Sequence, residues 1–534
     1  MRICILSGSV NVTAAMSLGR RNFIKMMGSA TLATAVDAQP MRPSVPTLGA
    51  RPAGDPIQIG RRRRLFLDDE LVAELVGIRR RFCHPDLQDE NLLLAEFPWE
   101  NGYAGAYASV LEHEGKVMMW YDSFPWDDTT QKLSSTRFMC LAISDNGVDF
   151  RKPLFDNIPY RGEAHTNIVM TGVSGSVFFD PEDKHGMPFK CLGSMRPDQA
   201  GSDWEPLRGV SRNSVYLLSS ADGIRWQRSR EQLVPVWLGA TQSALWNERT
   251  RSWYLYLRAH CPERAYSMVE IGSGRLTEPY PLNLRSGVDY HGGRKLELTT
   301  ELPIVLRGDE LDPPGAQPYT MNVWRYPLAD DVYLAFFPMW HDGRADHDRS
   351  DMMEVQMAIS RDGRLWRRPY RRAVISPGAP FQRSGGEVWP IPDPIIRGDQ
   401  IWQYYFSRPE THRTQTQKAS GVLARAIWRI DRFACLEPHG RDGTLITPVV
   451  SLTGENLRVN LDAGASGFMR VGLLDEGGNE LRGWGIKDCN PVYGNGTELL
   501  VGWRGNRSIS PCKGRPVRLR FELTNCSLYS VFTT

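Results

Sequence analysis

Three short copies of one turn pattern occur in the middle of the chain, and each places Asp or Asn directly before Gly. They are residues 144–150 (SDNGVDF), 220–226 (SADGIRW) and 360–366 (SRDGRLW), and each follows a short apolar run. Because Asp, Asn and Gly tolerate positive φ, this pattern is typical of a tight turn between antiparallel strands. The three glycines stand 76 and then 140 residues apart. A β-unit repeated about every 70 residues predicts a β-propeller.

Five hairpins share a second pattern, which is an apolar strand, a polar turn and a strand rich in aromatic residues. Their starts are 69, 66, 80 and 65 residues apart, in agreement with the period of the turn pattern. Each hairpin with two further strands would make one propeller blade. The sequence therefore predicts an all-β chain with a five-bladed propeller over residues 57–440, with its hairpins at 107–122, 176–196, 242–258, 322–341 and 387–408.

The composition changes near residue 440. Residues 443–534 show regular β-alternation, as in LRVNL at 457–461 and VRLRF at 517–521, separated by glycine-rich turns. A segment of about 90 residues with this pattern is typical of a β-sandwich. Residues 39–56 are rich in Pro and Gly and are predicted to be a linker.

The N-terminal segment carries a predicted export signal. Residues 19–25 (GRRNFIK) match the twin-arginine pattern, residues 26–36 are apolar, and residues 36–38 (VDA) offer a cleavage site. Met16 stands just upstream and is the predicted translation start. The alternative is a chance Arg-Arg pair before a buried helix. We predict a signal peptide over residues 1–38, the twin-arginine (Tat) export machinery as a partner, and a bacterial protein with a periplasmic or extracellular localisation.

Charge and composition argue against several classes of partner. The 534 residues carry a net charge of +3, which gives no reason to expect a nucleic acid or another polyanion. After the signal, no apolar run reaches the roughly 18 residues of a membrane span. The cysteines there lack CxxC or zinc spacing and the acidic residues lack EF-hand spacing, so neither a metal nor a cofactor is predicted. The 16 Trp and 18 Tyr suit sugar-binding clefts, although large β-cores also use aromatic residues.

Several short motifs resemble known propellers. They include PWE at 98–100, MMWY at 118–121, VFFDP at 177–181, TQ at 241–242, VQMA at 355–358 and GDQIW at 398–402. With the Asp-Gly turns, these motifs resemble the five-bladed propellers of glycoside hydrolase families 32, 43 and 130. The resemblance is closer to exported bacterial proteins, common in planctomycetes, that are described as family 32-like. It implies a carbohydrate-active protein whose partner is an oligo- or polysaccharide.

In such propellers the innermost strand of each blade begins at the ligand funnel, and the second strand ends there. The resemblance therefore implies that the polar residues near those strand ends lie in the funnel. Glycoside hydrolysis needs one carboxylic acid to protonate the leaving oxygen and one carboxylate to attack or to activate water. The predicted catalytic residues are Glu387, Asp122 and Glu100, and the predicted substrate-binding residues are Arg196, Gln242, Arg258, Tyr319, Asn322, Trp340, His341, Arg408 and His412.

Glu387 is the preferred acid of this set. It follows two glycines, which would let the backbone approach a ligand, and Val388 and Trp389 would supply apolar surroundings that raise its pKa. Asp122 and Glu100 compete for the role of the carboxylate. The separation of the two carboxyl groups, about 5 Å or about 6.5–9.5 Å, would decide between retention and inversion.

The sequence leaves three interpretations of the activity open. The preferred one is a glycoside hydrolase with paired carboxylates. The second is a non-catalytic glycan-binding propeller, because the related proteins carry an acidic residue just before Thr241, where this chain has alanine. The third is a polysaccharide lyase with Tyr319 or His341 as the base. Arginines in the funnel would then neutralise a uronate, although they could equally pair with the carboxylates.

Overall fold

A computed structural model describes residues 55–134, 136–195, 214–234, 238, 241–261, 263–280, 287–290, 293–296, 303–342, 351–378, 385–412, 421–505 and 508–534. The predicted signal peptide, most of the predicted linker and Arg196 lie outside the described residues. Helical structure in the described residues consists of two single turns, Pro98–Glu100 and Ser510–Cys512. In these ranges, no helix has the length and apolar character that crossing a membrane requires.

Five sheets follow one another along the chain and form the blades. Blade one contains Tyr103–His113, Lys116–Phe124, Phe138–Ser144, Phe150–Arg151 and Ile168–Thr171. Blade two contains Val173–Phe179, Phe189–Met195, Ser214–Ser220 and Trp226–Arg228. Blade three contains Ser243–Asn247, Ser252–Cys261, Glu263–Gly272 and Ile304–Arg307. Blade four contains Ala316–Pro318, Asn322–Arg325, Tyr333–His341 and Met353–Ser360, and blade five contains Glu387–Pro390, Ile395–Arg397, Gln400–Arg408 and Val422–Arg429.

Two short strand pairs lie outside the blades. They are Trp126–Asp127 with Lys132–Leu133, and Gly287–Tyr290 with Gly293–Leu296. The innermost strands of neighbouring blades are joined by side-chain hydrogen bonds, so they line one common axis. These bonds run from Val177 N–H to Ser109 Oγ (2.9 Å), from Val323 N–H to Ser243 Oγ (3.2 Å) and from Asn322 Nδ2 to the Pro390 carbonyl (2.6 Å).

Apolar clusters fill the space between neighbouring blades and complete the ring. Five apolar clusters in the described residues each combine side chains from two adjacent blades. Phe178 of blade two, for example, packs edge-on against Trp253 of blade three, with ring centroids 4.9 Å apart. Ile391 and Tyr404 of blade five pack with Val110 of blade one, which closes the circle. The predicted five-bladed propeller is therefore confirmed.

The repeated Asp-Gly turns hold each blade to the one before it. The three glycines have φ values of 74–78°, and their carbonyl oxygens accept hydrogen bonds from aromatic side chains in the second strand of the preceding blade. At Gly223 an added Cβ would lie 2.6 Å from the Trp120 ring, so the docking also requires glycine. The bonds run from Tyr404 to Gly147 (2.7 Å), Trp120 to Gly223 (2.8 Å) and Tyr256 to Gly363 (2.7 Å).

Blade five is completed by a strand from the beginning of the chain. Asp86–Leu87 pairs antiparallel with Val422–Arg429, opposite the side on which Gln400–Arg408 lies. Next to this strand, Arg425 binds Glu90 through two nitrogens at 2.7 and 2.9 Å. The N-terminal part of the chain thus closes the outer edge of the last blade, which would otherwise present unpaired backbone groups.

The C-terminal β-sandwich is built on two long strands, Leu457–Leu474 and Pro516–Thr533, that pair with each other. Bulges after Asn460 and Ala463 interrupt this pairing and bend the strands. Buried apolar side chains such as Val459, Val471 and Phe521 form the core of the sandwich. Its other strands are Ile57–Ile59, Arg64–Leu65, Glu74–Val76, Ile78–Phe82, Ala434–Pro438, Asp442–Ile446, Val450–Leu452 and Asn495–Leu500.

Four strands between residues 57 and 82 therefore pair within the sandwich, although the sequence placed this segment in the propeller. Their short length explains the difference, because strands of two to five residues carry no sequence signal for their partner. Ile57–Ile59, for example, runs parallel to Val450–Leu452 almost 400 positions later in the chain. The predicted sandwich after residue 443 is confirmed as an architecture.

A buried carboxylate connects the propeller to the sandwich. Asp431, which has no exposed surface and follows the last strand of blade five, accepts hydrogen bonds from Arg63 (2.8 Å), Tyr326 (2.7 Å) and Ser530 (2.7 Å). Asn460 adds a fourth bond at 3.2 Å. Because each donor comes from a different part of the chain, this network fixes the junction between the two architectures.

Candidate active site

Irregularities in two innermost strands shape one end of the propeller channel. Blade one has register shifts between Ala104 and Ser109, and Tyr107 there adopts a φ of 49°. Blade four is interrupted between Ala316–Pro318 and Asn322–Arg325, where Tyr319 lies. Such breaks turn side chains out of the regular alternation. As a result, aromatic residues of blades one, four and five form one cluster, which includes Tyr103, Tyr319, Trp340, Trp389 and Phe406.

Glu387 lies at the start of blade five and is almost completely buried. Arg408 Nε donates to Oε2 at 2.7 Å, His412 Nδ1 binds Oε1 at 2.7 Å, and Trp389 Nε1 donates to Oε2 at 3.2 Å. Burial alone would raise the pKa of Glu387, but the charges and hydrogen bonds of Arg408 and His412 outweigh it and lower the pKa. The predicted raised pKa is therefore wrong, because Glu387 faces Arg408 in the strand register.

Asp122 lies at the end of the second strand of blade one and has no exposed surface. Arg137 Nε stands 3.3 Å from Oδ2, yet neither carboxylate oxygen forms a hydrogen bond with any described residue. Burial raises the pKa of Asp122 to about 7, and Arg137 opposes this only in part. Asp122 is thus the carboxyl group of this region that can hold a proton near neutral pH.

The two carboxyl groups act on the same part of the funnel. The phenol of Tyr103 lies within the electrostatic influence of both Asp122 and Glu387, although burial is the main cause of its raised pKa. Tyr103 stacks on Phe124 with ring centroids 4.8 Å apart, and Arg408 Cζ lies 5.9 Å from the Tyr103 ring. Blades one and five therefore bring their acidic groups within electrostatic reach of one aromatic residue.

Tyr319 is surrounded by cationic groups. Its ring centroid lies 4.8 Å from that of His412, 4.8 Å from Arg264 Cζ and 5.6 Å from Arg258 Cζ. Burial raises the pKa of Tyr319, but the three cations and a hydrogen bond from Tyr107 outweigh it, so the pKa falls to about 8. His412 in turn has a raised pKa despite its burial, because Tyr319 and Glu387 favour the imidazolium.

Arg258 lies in the second strand of blade three, Ser252–Cys261, beside Tyr319 and is 4% exposed. Gln242, another predicted residue, accepts the Arg258 backbone N–H at 2.8 Å and so holds this part of the hairpin. The guanidinium Nε and Nη1 atoms are buried and form no hydrogen bond with a described residue. Blade three therefore brings donor groups to the funnel that the described protein residues leave unused.

Glu100 lies apart from these groups, in a network internal to blade one. Its carboxylate accepts hydrogen bonds from Tyr121, from Lys152 Nζ (2.8 Å) and from the Glu96 backbone N–H (2.8 Å). Tyr121 also binds Asn167, which accepts from the Trp99 indole. Glu100 thus ties the turn before blade one to its strands.

The other predicted residues have mixed positions. Trp340 belongs to the funnel wall, where Arg264 Cζ stands 4.2 Å from its ring. Asn322 links two innermost strands, as described above, and His341 lies 3.8 Å from Glu354 at the edge of blade four. Within the described residues, no group of three or more His, Cys, Asp or Glu side chains could hold a metal ion.

Sequence reasoning missed Arg137, Arg264 and the tyrosines Tyr103 and Tyr107. Arg137 directly precedes the third strand of blade one, Phe138–Ser144. Arg264 is the second residue of the third strand of blade three, Glu263–Gly272. Because the third strand runs parallel to the first, its start also faces the funnel. The strand-end rule applied to third strands would have found both arginines.

Comparisons with known proteins give distant similarity to solved structures. No protein-family profile and no curated protein matches the sequence. A solved glycoside hydrolase is 12% identical, with a TM-score of 0.42 over 64% of this chain and 92% of that chain. A structure from the GH130 family of mannoside phosphorylases, which contains glycoside hydrolases that target β-1,2 mannosidic linkages in Candida mannan, is 12% identical, with a TM-score of 0.41 over 65% and 95%. An N-acetylgalactosamine deacetylase from F. plautii in complex with blood group B trisaccharide is 11% identical, with a TM-score of 0.38 over 67% and 97%.

The five-bladed fold that the predicted resemblance implies is present in this chain, whereas the similarity to these solved structures is distant. The identities are too low for the similarity to assign a reaction or a residue's role. The activity therefore has to be inferred from the side chains of this chain.

Proposed function

We propose that this protein is a carbohydrate-active enzyme of the glycoside hydrolase type, with its active site in the propeller funnel. The observation that carries the proposal is the opposite perturbation of two buried carboxyl groups. Burial raises the pKa of Asp122 to about 7, whereas Arg408 and His412 lower the pKa of Glu387 in spite of its burial. A proton donor and an ionised carboxylate at one site are what the hydrolysis of a glycoside requires.

In the proposed reaction Asp122 gives its proton to the leaving oxygen as the glycosidic bond breaks. A water molecule adds to the anomeric carbon, and Glu387 takes up the proton that this water loses. The three donors that hold Glu387 keep it ionised, so its charge also favours the positive charge that develops on the sugar ring.

A second candidate, the elimination reaction of a polysaccharide lyase, is favoured by the pKa of about 8 for Tyr319. The Tyr319 phenolate would take the proton next to a uronate carboxylate. The bond to the leaving oxygen would break as a carbon–carbon double bond forms, and Asp122 would protonate that oxygen. No water is consumed, so the products differ from those of hydrolysis.

The two reactions are separated by screening the purified protein against a panel of polysaccharides. New reducing ends without ultraviolet absorption indicate hydrolysis, whereas unsaturated products absorb in the ultraviolet. Hydrolysis should be lost in Asp122→Asn and in Glu387→Gln but kept in Tyr319→Phe. Elimination should be lost in Tyr319→Phe. Asp399→Asn, which removes a carboxylate that pairs with Arg429 at the surface, is the matched control and should keep full activity.

A glycan-binding propeller without activity is the outcome that would contradict the enzyme proposal. It would appear as saturable binding to a polysaccharide that remains uncleaved. Export through the twin-arginine pathway is also proposed, on the sequence of residues 19–25 alone. A secretion assay on the full chain tests this proposal. Export should stop when Arg20 and Arg21 are both changed to lysine.

A further inference from the structure

We propose that the funnel binds an anionic sugar, either a uronate or a sulfated residue, and that Arg258 holds its charged group. The inference rests on the proposed carbohydrate function and adds the substrate class. Only 4% of the Arg258 surface is exposed, and yet two of its guanidinium nitrogens form no hydrogen bond with the described residues. A buried guanidinium in this state costs folding free energy, which an incoming anion would recover.

Two other arginines of the funnel have compensating carboxylates. Arg408 lies 2.7 Å from Glu387, and Arg137 lies 3.3 Å from Asp122. Arg258 has no carboxylate within ion-pair distance among the described residues. The blade-three side of the funnel therefore carries a positive charge that this part of the protein does not neutralise.

A second arginine strengthens the positive charge at the same place. Arg264 Cζ and Arg258 Cζ both lie within 5.6 Å of the Tyr319 ring, and His412 lies on that ring as well. Like charges held around one ring repel each other, and an anion between them relieves the repulsion. Guanidinium groups match the planar oxygen pairs of carboxylate and sulfate, which is why a uronate or a sulfate ester fits.

Two hydroxyl groups of the neighbouring blade suit the neutral part of a sugar. Ser174 and Ser194 face each other across the strand pair at the start of blade two. Both hydroxyl groups are buried without a hydrogen bond to a described residue. Neutral donors on blade two and a cation on blade three would orient a ring that carries a single charged substituent.

The test measures binding by calorimetry on the full chain carrying Asp122→Asn, which prevents turnover. The probes are a galacturonate trisaccharide and its carboxyl-reduced counterpart, and a carrageenan tetrasaccharide and its desulfated counterpart. We expect one charged probe to bind about 30-fold or more tightly than its neutral counterpart. The pair that shows this difference identifies carboxylate or sulfate as the recognised group.

Arg258→Met is the decisive variant. It should abolish the preference for the charged probe while leaving the melting temperature unchanged or higher, because a buried charge without hydrogen bonds is removed. Arg429→Gln, a loss of the same charge at the surface, should leave both quantities unchanged. Tyr319→Phe should keep the preference for the charged probe. That result would exclude the possibility that the arginines only stabilise the Tyr319 phenolate.

Equal binding of charged and neutral probes, binding of no charged probe, or an unchanged preference in Arg258→Met would overturn the inference. These outcomes are distinct from a failure of the proposed function. Cleavage of neutral glycans would support hydrolysis and reject the anionic substrate. Tight binding of a charged glycan that the wild-type chain never cleaves would support the site and reject the enzyme.

Discussion

The junction between propeller and sandwich and the funnel of the propeller both bury an aspartate completely, but they treat its charge in opposite ways. Asp431 at the junction accepts hydrogen bonds from Arg63, Tyr326 and Ser530 at 2.7–2.8 Å. Asp122 in the funnel accepts none from the described residues and faces Arg137 at 3.3 Å. Burial is equal, with 0% exposure at both residues.

The difference separates a structural charge from a reactive one. A buried carboxylate with all its hydrogen bonds holds the surrounding groups in place, and removing it leaves other charges stranded. A buried carboxylate without hydrogen bonds favours its neutral form, which costs stability but provides a proton. Each prediction below tests one side of this comparison.

The largest expected effect is on the activity of Asp122→Asn. Loss of the proton donor should lower the cleavage rate on the polysaccharide identified by screening by about 10²- to 10⁴-fold. The melting temperature should not fall, because the amide no longer requires a charge to be buried. A rate within a factor of about three of the wild type would show that Asp122 is not the acid.

Asp431→Ala should have the opposite profile. Removing the carboxylate takes the shared acceptor away from Arg63, Tyr326 and Ser530 and leaves Arg63 with the more exposed Glu498 as its ionic partner, so the free energy of unfolding should fall by about 3–5 kcal/mol. Chemical denaturation measures this loss, and the folded fraction should cleave substrate at the wild-type rate. A small loss of stability would contradict the structural role given to the junction network.

The pH dependence tests the protonation of Asp122 directly. Activity should fall about tenfold per pH unit above pH 7 as the acid ionises, and it should also fall below the lowered pKa of Glu387. The folded-state pKa of Asp122 lies above its usual value of 3.8, so the protonated form favours folding. Stability should therefore decrease as the pH rises from about 4 to about 7, and Asp122→Asn should remove that slope.

The smallest expected effect is at the edge of blade five. Glu90→Gln weakens the paired contact with Arg425, which is partly exposed to solvent. We expect a loss of about 1 kcal/mol in the free energy of unfolding and no change in activity. A loss of stability as large as that of Asp431→Ala would contradict this prediction. It would mean that solvent exposure does not make the Glu90–Arg425 pair weaker than the buried Asp431–Arg63 pair.

The repeat and the hairpins were sufficient to predict the blades, because their spacing reflects a local pattern of strands and turns. The strand-end rule also predicts Asp122, Glu387 and Tyr319 at one end of the channel. The lowered pKa of Glu387 could have been predicted too, since the same hairpin places Arg408 opposite it. Sequence patterns therefore carry information about pairs within one hairpin.

Partners from distant parts of the chain could not be predicted in this way. Glu100 looked like a funnel residue, but Tyr121 and Lys152 bind it within blade one. Residues 57–82 looked like the start of the propeller, but they pair with strands after residue 434. Both cases depend on tertiary contacts for which short segments carry no local signal.

The pairing of Arg64–Leu65 with Pro516–Thr533 has a consequence for the order in which the protein can fold. These early strands find their partners only in segments that follow all five blades, because Ile57–Ile59 pairs with Val450–Leu452 and Ile78–Phe82 pairs with Ala434–Pro438. Contacts between such distant parts of the chain form slowly, so during refolding the sandwich should become resistant to proteolysis after the blades.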